Sequence, residues 1–67
     1  MTTIRFTLCV THRWDARKNM ARDFVTRTAA ALCVTALAYE GCWSEARLFL
    51  RSTGKLVKFT NLKENNN

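Results

Sequence analysis

The sequence has no proline and only two glycines among its 67 residues. Both residue types interrupt helices and strands and mark loops, so their scarcity leaves little room for long loops or interdomain linkers. A chain of this length lies near the lower size limit for folding around a single core, where only about 60% of the unfolded surface is buried. We therefore expect one domain over residues 1–62. The tail Lys63–Asn67 has no apolar residue and should fray.

Cysteine is present in an odd number, and no leader or membrane segment is evident. The three cysteines are Cys9, Cys33 and Cys42. The only apolar run near the N-terminus, Phe6–Val10, is shorter than the apolar region of a signal peptide. An odd cysteine count without a leader argues against a disulfide-stapled secreted domain. No stretch approaches the ~20 apolar residues of a membrane span, so we expect a cytoplasmic protein with no membrane partner.

Acidic residues are scarce, with five Asp and Glu against eleven Lys and Arg, for a formal net charge of +6. The field of such a chain attracts polyanions and acidic protein surfaces and accelerates association with them. The hydrophobic fraction of 48% and the charged fraction of 24% are those of a globular chain. The composition thus predicts a folded protein with a negatively charged partner, either protein or nucleic acid.

The stretch Ala46–Leu62 has the alternation of a β-hairpin. With Thr53 and Gly54 as a two-residue loop, Leu50 lies opposite Val57 and Leu48 opposite Phe59 on the inner face. The outer face of that register carries Arg47, Phe49, Arg51, Leu56, Lys58 and Thr60. Successive residues of a strand point to opposite faces, so a slip of one position would turn Lys58 inward and Phe59 outward. The pattern itself therefore favours this register.

The first half of the chain predicts one strand and one helix. Ile4, Phe6, Leu8 and Val10 alternate with Arg5, Thr7, Cys9 and Thr11, which is typical of a half-buried strand. Asp15 is a suitable N-cap for a helix over residues 15–33. Its core stripe would comprise Met20, Phe24, Thr28, Ala31 and Leu32.

Residues 34–43 allow two interpretations. They could prolong the helix to a Gly41 C-cap, or they could form a second strand that turns at Ser44-Glu45 into the hairpin. We favour the strand, because a helix of about 26 residues is long against a mean of 11–12. The predicted fold class is α+β, with the order β-α-β-β-β and one helix packed on a small antiparallel sheet.

An aromatic residue among cations is the strongest functional signal. On the outer hairpin face Phe49 is flanked by Arg47, Arg51 and Lys58, and Arg5 joins them if its strand is adjacent. Proteins that bind single-stranded nucleic acid combine cations for phosphates with exposed rings for bases. The alternative is a solvated sheet face on which a neighbouring side chain or a dimer partner covers Phe49.

A second basic cluster comprises Arg13, Arg17, Lys18 and Arg22, at the start of the predicted helix. Cations there oppose the helix dipole, which hints at a bound anion. The alternative is a solvated helix face that Asp15 and Asp23 partly balance. Trp14, Tyr39 and Trp43 complete the candidates, since an uncovered Trp or Tyr beside arginines resembles an interface hot spot, whereas a covered one is a rim of the core.

Metal, cofactor and catalytic sites are not predicted. Cys9-x2-His12 followed by the isolated Cys33 and Cys42 matches no common zinc site, and the cysteines fit small core residues better. Thr53-Gly54-Lys55 resembles the end of a phosphate-binding loop, but it joins two strands where such a loop opens a helix. The five acids form no evident pair for acid–base chemistry. We expect a protein that is not an enzyme.

The strand IRFTLCV, one helix and the hairpin ARLFLRS-TG-KLVKFTNL together resemble small phage-encoded inhibitor proteins of the anti-CRISPR kind. The resemblance lies in architecture and assigns no residue. It implies a non-enzymatic inhibitor that docks on a larger host complex handling nucleic acid. Because this chain is basic, unlike the acidic DNA-mimicking members, docking on an acidic protein or nucleoprotein surface fits better. The alternatives are a direct nucleic-acid-binding module and a homodimer joined through sheet faces or edges.

Overall fold

The computed structural model describes residues 4–62 and has one helix packed on a four-stranded antiparallel sheet. The elements are β1 (Phe6–His12), β2 (Met20–Phe24), α1 (Arg27–Glu40), β3 (Trp43–Leu50) and β4 (Lys55–Asn61). The strand order is β2-β1-β3-β4, so β1 and β3 are central and β2 and β4 are the edges. The predicted α+β class is confirmed, but α1 follows the second strand instead of the first. The predicted frayed tail lies outside the described residues.

The core lies between α1 and the two central strands. Its buried residues are Phe6, Leu8 and Val10 of β1, Ala30 and Leu37 of α1, and Trp43, Ala46 and Leu48 of β3. Leu8, only 1% exposed, lies opposite Leu48 in the sheet. The predicted alternation of β1 is therefore confirmed from Phe6 onward. Ile4, expected on the same face, precedes the paired strand and is 59% exposed.

The predicted helix over residues 15–33 is wrong in its first half. Asp15 does act as an N-cap, but of a single 3-10 turn, Ala16–Lys18. The residues that follow pair as β2 with β1, with Met20 opposite Val10 and Phe24 opposite Phe6. Both side chains still pack against the core, because alternation along β2 brings them to the buried face of the sheet.

The helix α1 begins and ends at two clear caps. The Thr26 hydroxyl accepts a hydrogen bond from the Ala29 N–H at 3.1 Å, and Gly41 has the left-handed φ of 73°. The favoured strand over residues 34–43 is thus wrong up to Glu40, and the alternative helix with a Gly41 C-cap is the one that forms. Ser44-Glu45, predicted as a turn, lies inside β3.

The β3–β4 hairpin forms with a different register from the predicted one. A bulge between Leu48 and Phe49 places Leu48 opposite Lys58, and Arg47 opposite Phe59. Lys58 therefore shares the helix side of the sheet with Leu48, whereas Phe59 lies on the other side. The connection spans residues 51–54, and the Gly54 N–H donates to the Leu50 carbonyl at 2.7 Å.

The helix covers only part of the sheet. Within residues 4–62, α1 packs against β1, β2 and β3 but makes no close approach to β4. This leaves a groove of about 430 Å³ between α1 and β4, floored by Leu8, Ala46 and Leu48 and bordered by Arg27 and Lys58. The described part of the chain contains no helix with the length and apolarity needed to cross a membrane.

Candidate functional site: the open face of the sheet

The face of the sheet away from α1, called the open face below, has no covering layer among residues 4–62. The residues that alternate with the buried ones on the strands reach it. They are Thr7, Cys9 and Thr11 of β1, Ala21 and Asp23 of β2, Glu45, Arg47 and Phe49 of β3, and Leu56, Phe59 and Asn61 of β4. The central position of β3 thus places an arginine and an aromatic ring near the middle of this face.

Arg47 lies between an acid and an aromatic ring. Its guanidinium carbon is 5.6 Å from the centroid of the Phe59 ring, and its Nη2 is 2.8 Å from the Glu45 Oε2. Phe59 is 48% exposed, so the cation–π pair remains accessible. The hairpin bulge creates this contact, because the predicted register would have placed Phe59 in the core.

Arg51 is paired across the sheet. Its guanidinium forms an ion pair and hydrogen bond with the Asp23 carboxylate, which also accepts a hydrogen bond from the Thr7 hydroxyl at 3.0 Å. The Arg51 N–H donates to the Arg5 carbonyl at 3.0 Å, which places Arg5 beside it. The end of the hairpin is thereby tied to the edge strand β2.

These contacts give the open face a mixed charge. Arg47 and Arg51 each lie against a carboxylate, whereas the exposed Arg5 has no ion pair within the described residues. A phosphate approaching either paired arginine would compete with Glu45 or Asp23. The face therefore combines the exposed ring of Phe59, the half-buried ring of Phe49 and two paired guanidinium groups, and among the described residues it lacks a continuous row of free cations.

Lys58, predicted on the same face, lies on the opposite side of the sheet. It borders the groove beside α1, together with Arg27 and Thr60. The reason is the extra residue that the bulge inserts, which reverses the alternation of β4 relative to the predicted register. The structure thus brings together Arg5, Arg47, Phe49 and Arg51 and separates Lys58 from them.

Three residues of the second predicted cluster, Arg13, Arg17 and Lys18, lie in the connection between β1 and β2, whereas Arg22 lies in β2 opposite Leu8. Arg13 Nη1 donates to the Gly41 carbonyl at 3.1 Å, so this cation lies at the C-terminal end of α1. The predicted unfavourable interaction of Arg13 with a helix N-terminus is therefore wrong. Arg13 lies at a helix C-terminus instead, where a cation interacts favourably with the helix dipole. Arg17 pairs with Asp15 at 3.2 Å, and its side chain is the main cause that lowers the pKa of the Asp15 carboxyl.

Among the predicted aromatic candidates, Trp14 and Trp43 have opposite environments. Trp43 is buried and its indole N–H donates to the Glu40 carboxylate at 2.8 Å, whereas Trp14 is 75% exposed. His12 makes edge-on contacts with both rings, and its Nδ1 accepts hydrogen bonds from the Trp14 and Asp15 N–H groups. Trp14 therefore forms an exposed tip, with the Arg13 guanidinium 5.9 Å from its ring.

Sequence reasoning missed Phe59, Glu45 and Asp23 as parts of the site. Glu45 was assigned to a turn and Phe59 to the core, and the pairing of Asp23 with Arg51 depends on a strand that was not predicted. The spacing of Glu45 and Arg47 on one strand was the one local signal, since residues two apart share a face. The bulge that exposes Phe59 has no such signal.

The four candidate metal ligands do not converge. Cys9 and His12 lie on opposite faces of β1, and all three cysteines are free. Within residues 4–62 no three His, Cys, Asp or Glu side chains are grouped as a metal site. Comparison with protein-family models, with curated proteins and with solved structures found no match for this chain.

Proposed function

We propose that the chain is a non-enzymatic binding protein whose open face docks on an acidic surface of a larger host protein or nucleoprotein complex. The observation that carries this proposal is the exposed pair of Arg47 and Phe59, with Phe49 on the same face. Interfaces are enriched in aromatic residues and arginine, and these residues dominate their binding energy. The side chains are already held by neighbours, so little rotamer freedom is lost on binding.

Charge supports an acidic partner. The chain has a net charge of +6, and Arg5 at the margin of the open face makes no ion pair among the described residues. Positive potential around an interface steers a negative partner and raises the association rate more than the final affinity. We propose that docking inhibits a nucleic-acid-handling complex in the host cytoplasm, the role that the resemblance to phage inhibitors implies.

Direct binding of single-stranded nucleic acid is the second candidate. The exposed ring of Phe59, with Phe49 and Arg47 beside it, supports this function because bases stack on aromatic side chains. The carboxylates of Glu45 and Asp23 oppose it, since both would repel the phosphates. For this reason the protein partner ranks first.

Affinity capture from nuclease-treated host lysate tests the proposal with charge-reversal variants on the two sides of the sheet. Arg47→Glu removes the cation–π pair on the open face, and Lys58→Glu makes the same charge change on the helix side. We expect the protein captured by the wild type to be lost with Arg47→Glu and retained with Lys58→Glu. Equal capture by both variants would remove the open face as the binding surface.

A labelled oligothymidylate separates the second candidate from the first. If the open face binds single strands, anisotropy should show binding whose log K falls by about 0.7 per phosphate contact and unit of log salt. We expect no binding at physiological salt. Salt-sensitive binding that Arg47→Glu abolishes would instead establish the nucleic-acid function.

A further inference from the structure

The side of α1 that faces away from the sheet is uncharged along its length. No charged residue occurs between Arg27 and Glu40. Thr28, Leu32, Thr35 and Tyr39, called the outer stripe below, recur at helical spacing and are all exposed. Leu32 is 67% exposed and Tyr39 is 88% exposed. A helix that is uncharged on every side is typical of a helix covered by another element.

The two charged residues of α1 itself are reversed relative to its dipole, although at the C-terminal end the Arg13 guanidinium and the Trp43 indole already offset the charge of Glu40. Arg27 is the first residue and Glu40 the last, with no acid in the first turn and no base in the last turn. A cation at a helix N-terminus and an anion at the C-terminus are both unfavourable. Each would be favourable at the opposite end of a helix.

We propose that a second copy of the chain covers the outer stripe, with the two α1 helices packed antiparallel around a two-fold axis. This arrangement brings Arg27 of one copy to the end of the pair where the other copy's helix terminates. Glu40 correspondingly lies near the other copy's helix N-terminus. The antiparallel pair thus brings Arg27 of each copy near Glu40 of the other, and the two helix dipoles also oppose each other.

The side chains suit a close helix pair. Alanines at positions 31, 36 and 38 flank the outer stripe and are exposed. Small residues allow two helices to approach at interaxial distances near the lower end of about 8–10 Å. Leu32 and Tyr39 then supply the apolar area. Because the chain carries a net charge of +6, two copies repel each other on most other surfaces, and this uncharged side is where they can meet.

The proposed dimer leaves both open faces free on its two outer sides, since α1 and the open face lie on opposite sides of the sheet. It is therefore independent of the proposed function and would make that function bivalent. A bivalent protein engages two copies of an acidic surface, and its apparent affinity depends on whether the geometry of the target allows both contacts.

Sedimentation equilibrium of the full chain across the micromolar range tests the dimer. We expect a mass of twice the 7.7 kDa chain. Leu32→Lys should raise the dissociation constant about tenfold or more, because it buries two like charges near the axis. Leu56→Lys makes the same change at an exposed leucine of β4 and should leave the mass unchanged. Circular dichroism establishes that both variants are folded.

A charge-pair variant tests the antiparallel arrangement. In the proposed pair, position 28 of one copy lies opposite position 39 of the other. Thr28→Lys combined with Tyr39→Glu places opposite charges together in the antiparallel pair and like charges together in a parallel one. We expect the double variant to remain dimeric. A monomeric wild type, a dimer that Leu56→Lys dissociates, or a double variant that is monomeric would overturn the proposal.

Discussion

At the scale of single residues, Arg47 shows how a neighbour defines the role of a side chain. Its position on an uncovered strand face could be predicted from alternation with the buried Leu48. Its environment could not, because Phe59 reaches it only through the bulge. The pairing of Arg51 with Asp23 was equally hidden, since the two residues lie 28 positions apart and meet only in the folded sheet. A basic patch in a sequence can therefore become a face of mixed charge.

Asp15 gives a prediction about pH at the residue scale. Hydrogen bonds from the Arg17 side chain and then from its backbone N–H lower the Asp15 pKa. A lowered carboxyl pKa contributes stability that is present above the ordinary value of about 3.9 and is lost as pH falls through the folded-state pKa. We expect Arg17→Ala to move the Asp15 pKa part of the way back up, because the backbone N–H remains. A carbon-13 NMR titration of the carboxyl measures it.

The control for that titration is the neighbouring Lys18→Ala. Lys18 is a cation of the same turn, whereas the hydrogen bonds to the Asp15 carboxylate within residues 4–62 come from Arg17. It should leave the titration of Asp15 almost unchanged. An equal upward shift in both variants would mean that general positive charge, and not the Arg17 contact, lowers the pKa.

At the scale of elements, the helix was the part that the sequence placed least well. Met20 and Phe24 have helical spacing with Thr28, but pairing of five residues with β1 outweighs the local helix preference of Met, Ala and Arg. The true start at Thr26 has no Glu or Gln three residues later, so the usual capping-box signal is missing. Gly41 was recognised as a C-cap, but the average helix length argued against it.

Removal of the Thr26 cap gives a prediction at this scale. Thr26→Ala leaves the Ala29 N–H without its 3.1 Å partner and should lower the free energy of unfolding by about 1 kcal/mol. Urea denaturation followed by circular dichroism measures the change. Thr35→Ala, an exposed threonine inside α1, is the matched control when both variants are measured at a protein concentration that keeps the chain monomeric, and there it should be neutral or stabilising because alanine favours a helix interior. The assigned helix start is wrong if the two variants are destabilised equally.

The β3–β4 hairpin was predicted better than the helix, and the errors lie in its register and its turn. Both strands occur where the alternation indicated, because a period of two is a strong signal. The predicted two-residue loop Thr53-Gly54 is wrong, since the connection spans residues 51–54 and pairs Leu50 with Lys55. The register failed because a bulge adds one residue to β4 relative to its partner, and no residue type marks that position. One unpaired residue was enough to exchange the sides of Lys58 and Phe59.

At the scale of the whole molecule, the charge imbalance predicts the effect of salt on stability. The three described ion pairs are substantially exposed, so each contributes little to the free energy of unfolding. Repulsion among the excess cations acts across a molecule 42 Å long, and screening shortens its range from about 30 Å at 0.01 M to about 10 Å at 0.1 M. We expect the repulsion to dominate, so that added sodium chloride raises Tm by a few degrees.

Thermal unfolding at fixed protein concentration tests this expectation. The double variant Lys55→Glu/Lys58→Glu, which lowers the net charge on β4, should show a weaker dependence on salt. A Tm that falls with added salt in the wild type would show that the exposed ion pairs outweigh the repulsion. Potassium sulfate should not replace sodium chloride here, because sulfate also strengthens apolar burial.

The edge strand β4 has a consequence for how copies of the chain meet. Leu56, Val57 and Phe59 would suit an aggregating segment, but Lys55 and Lys58 interrupt them on a strand that is an edge of the sheet within residues 4–62. Acetylation of these lysines would remove the charge that keeps a neighbouring strand away. Lys58, which the bulge places on the helix side of the sheet, thus also opposes the addition of further strands to this edge and the growth of a fibril.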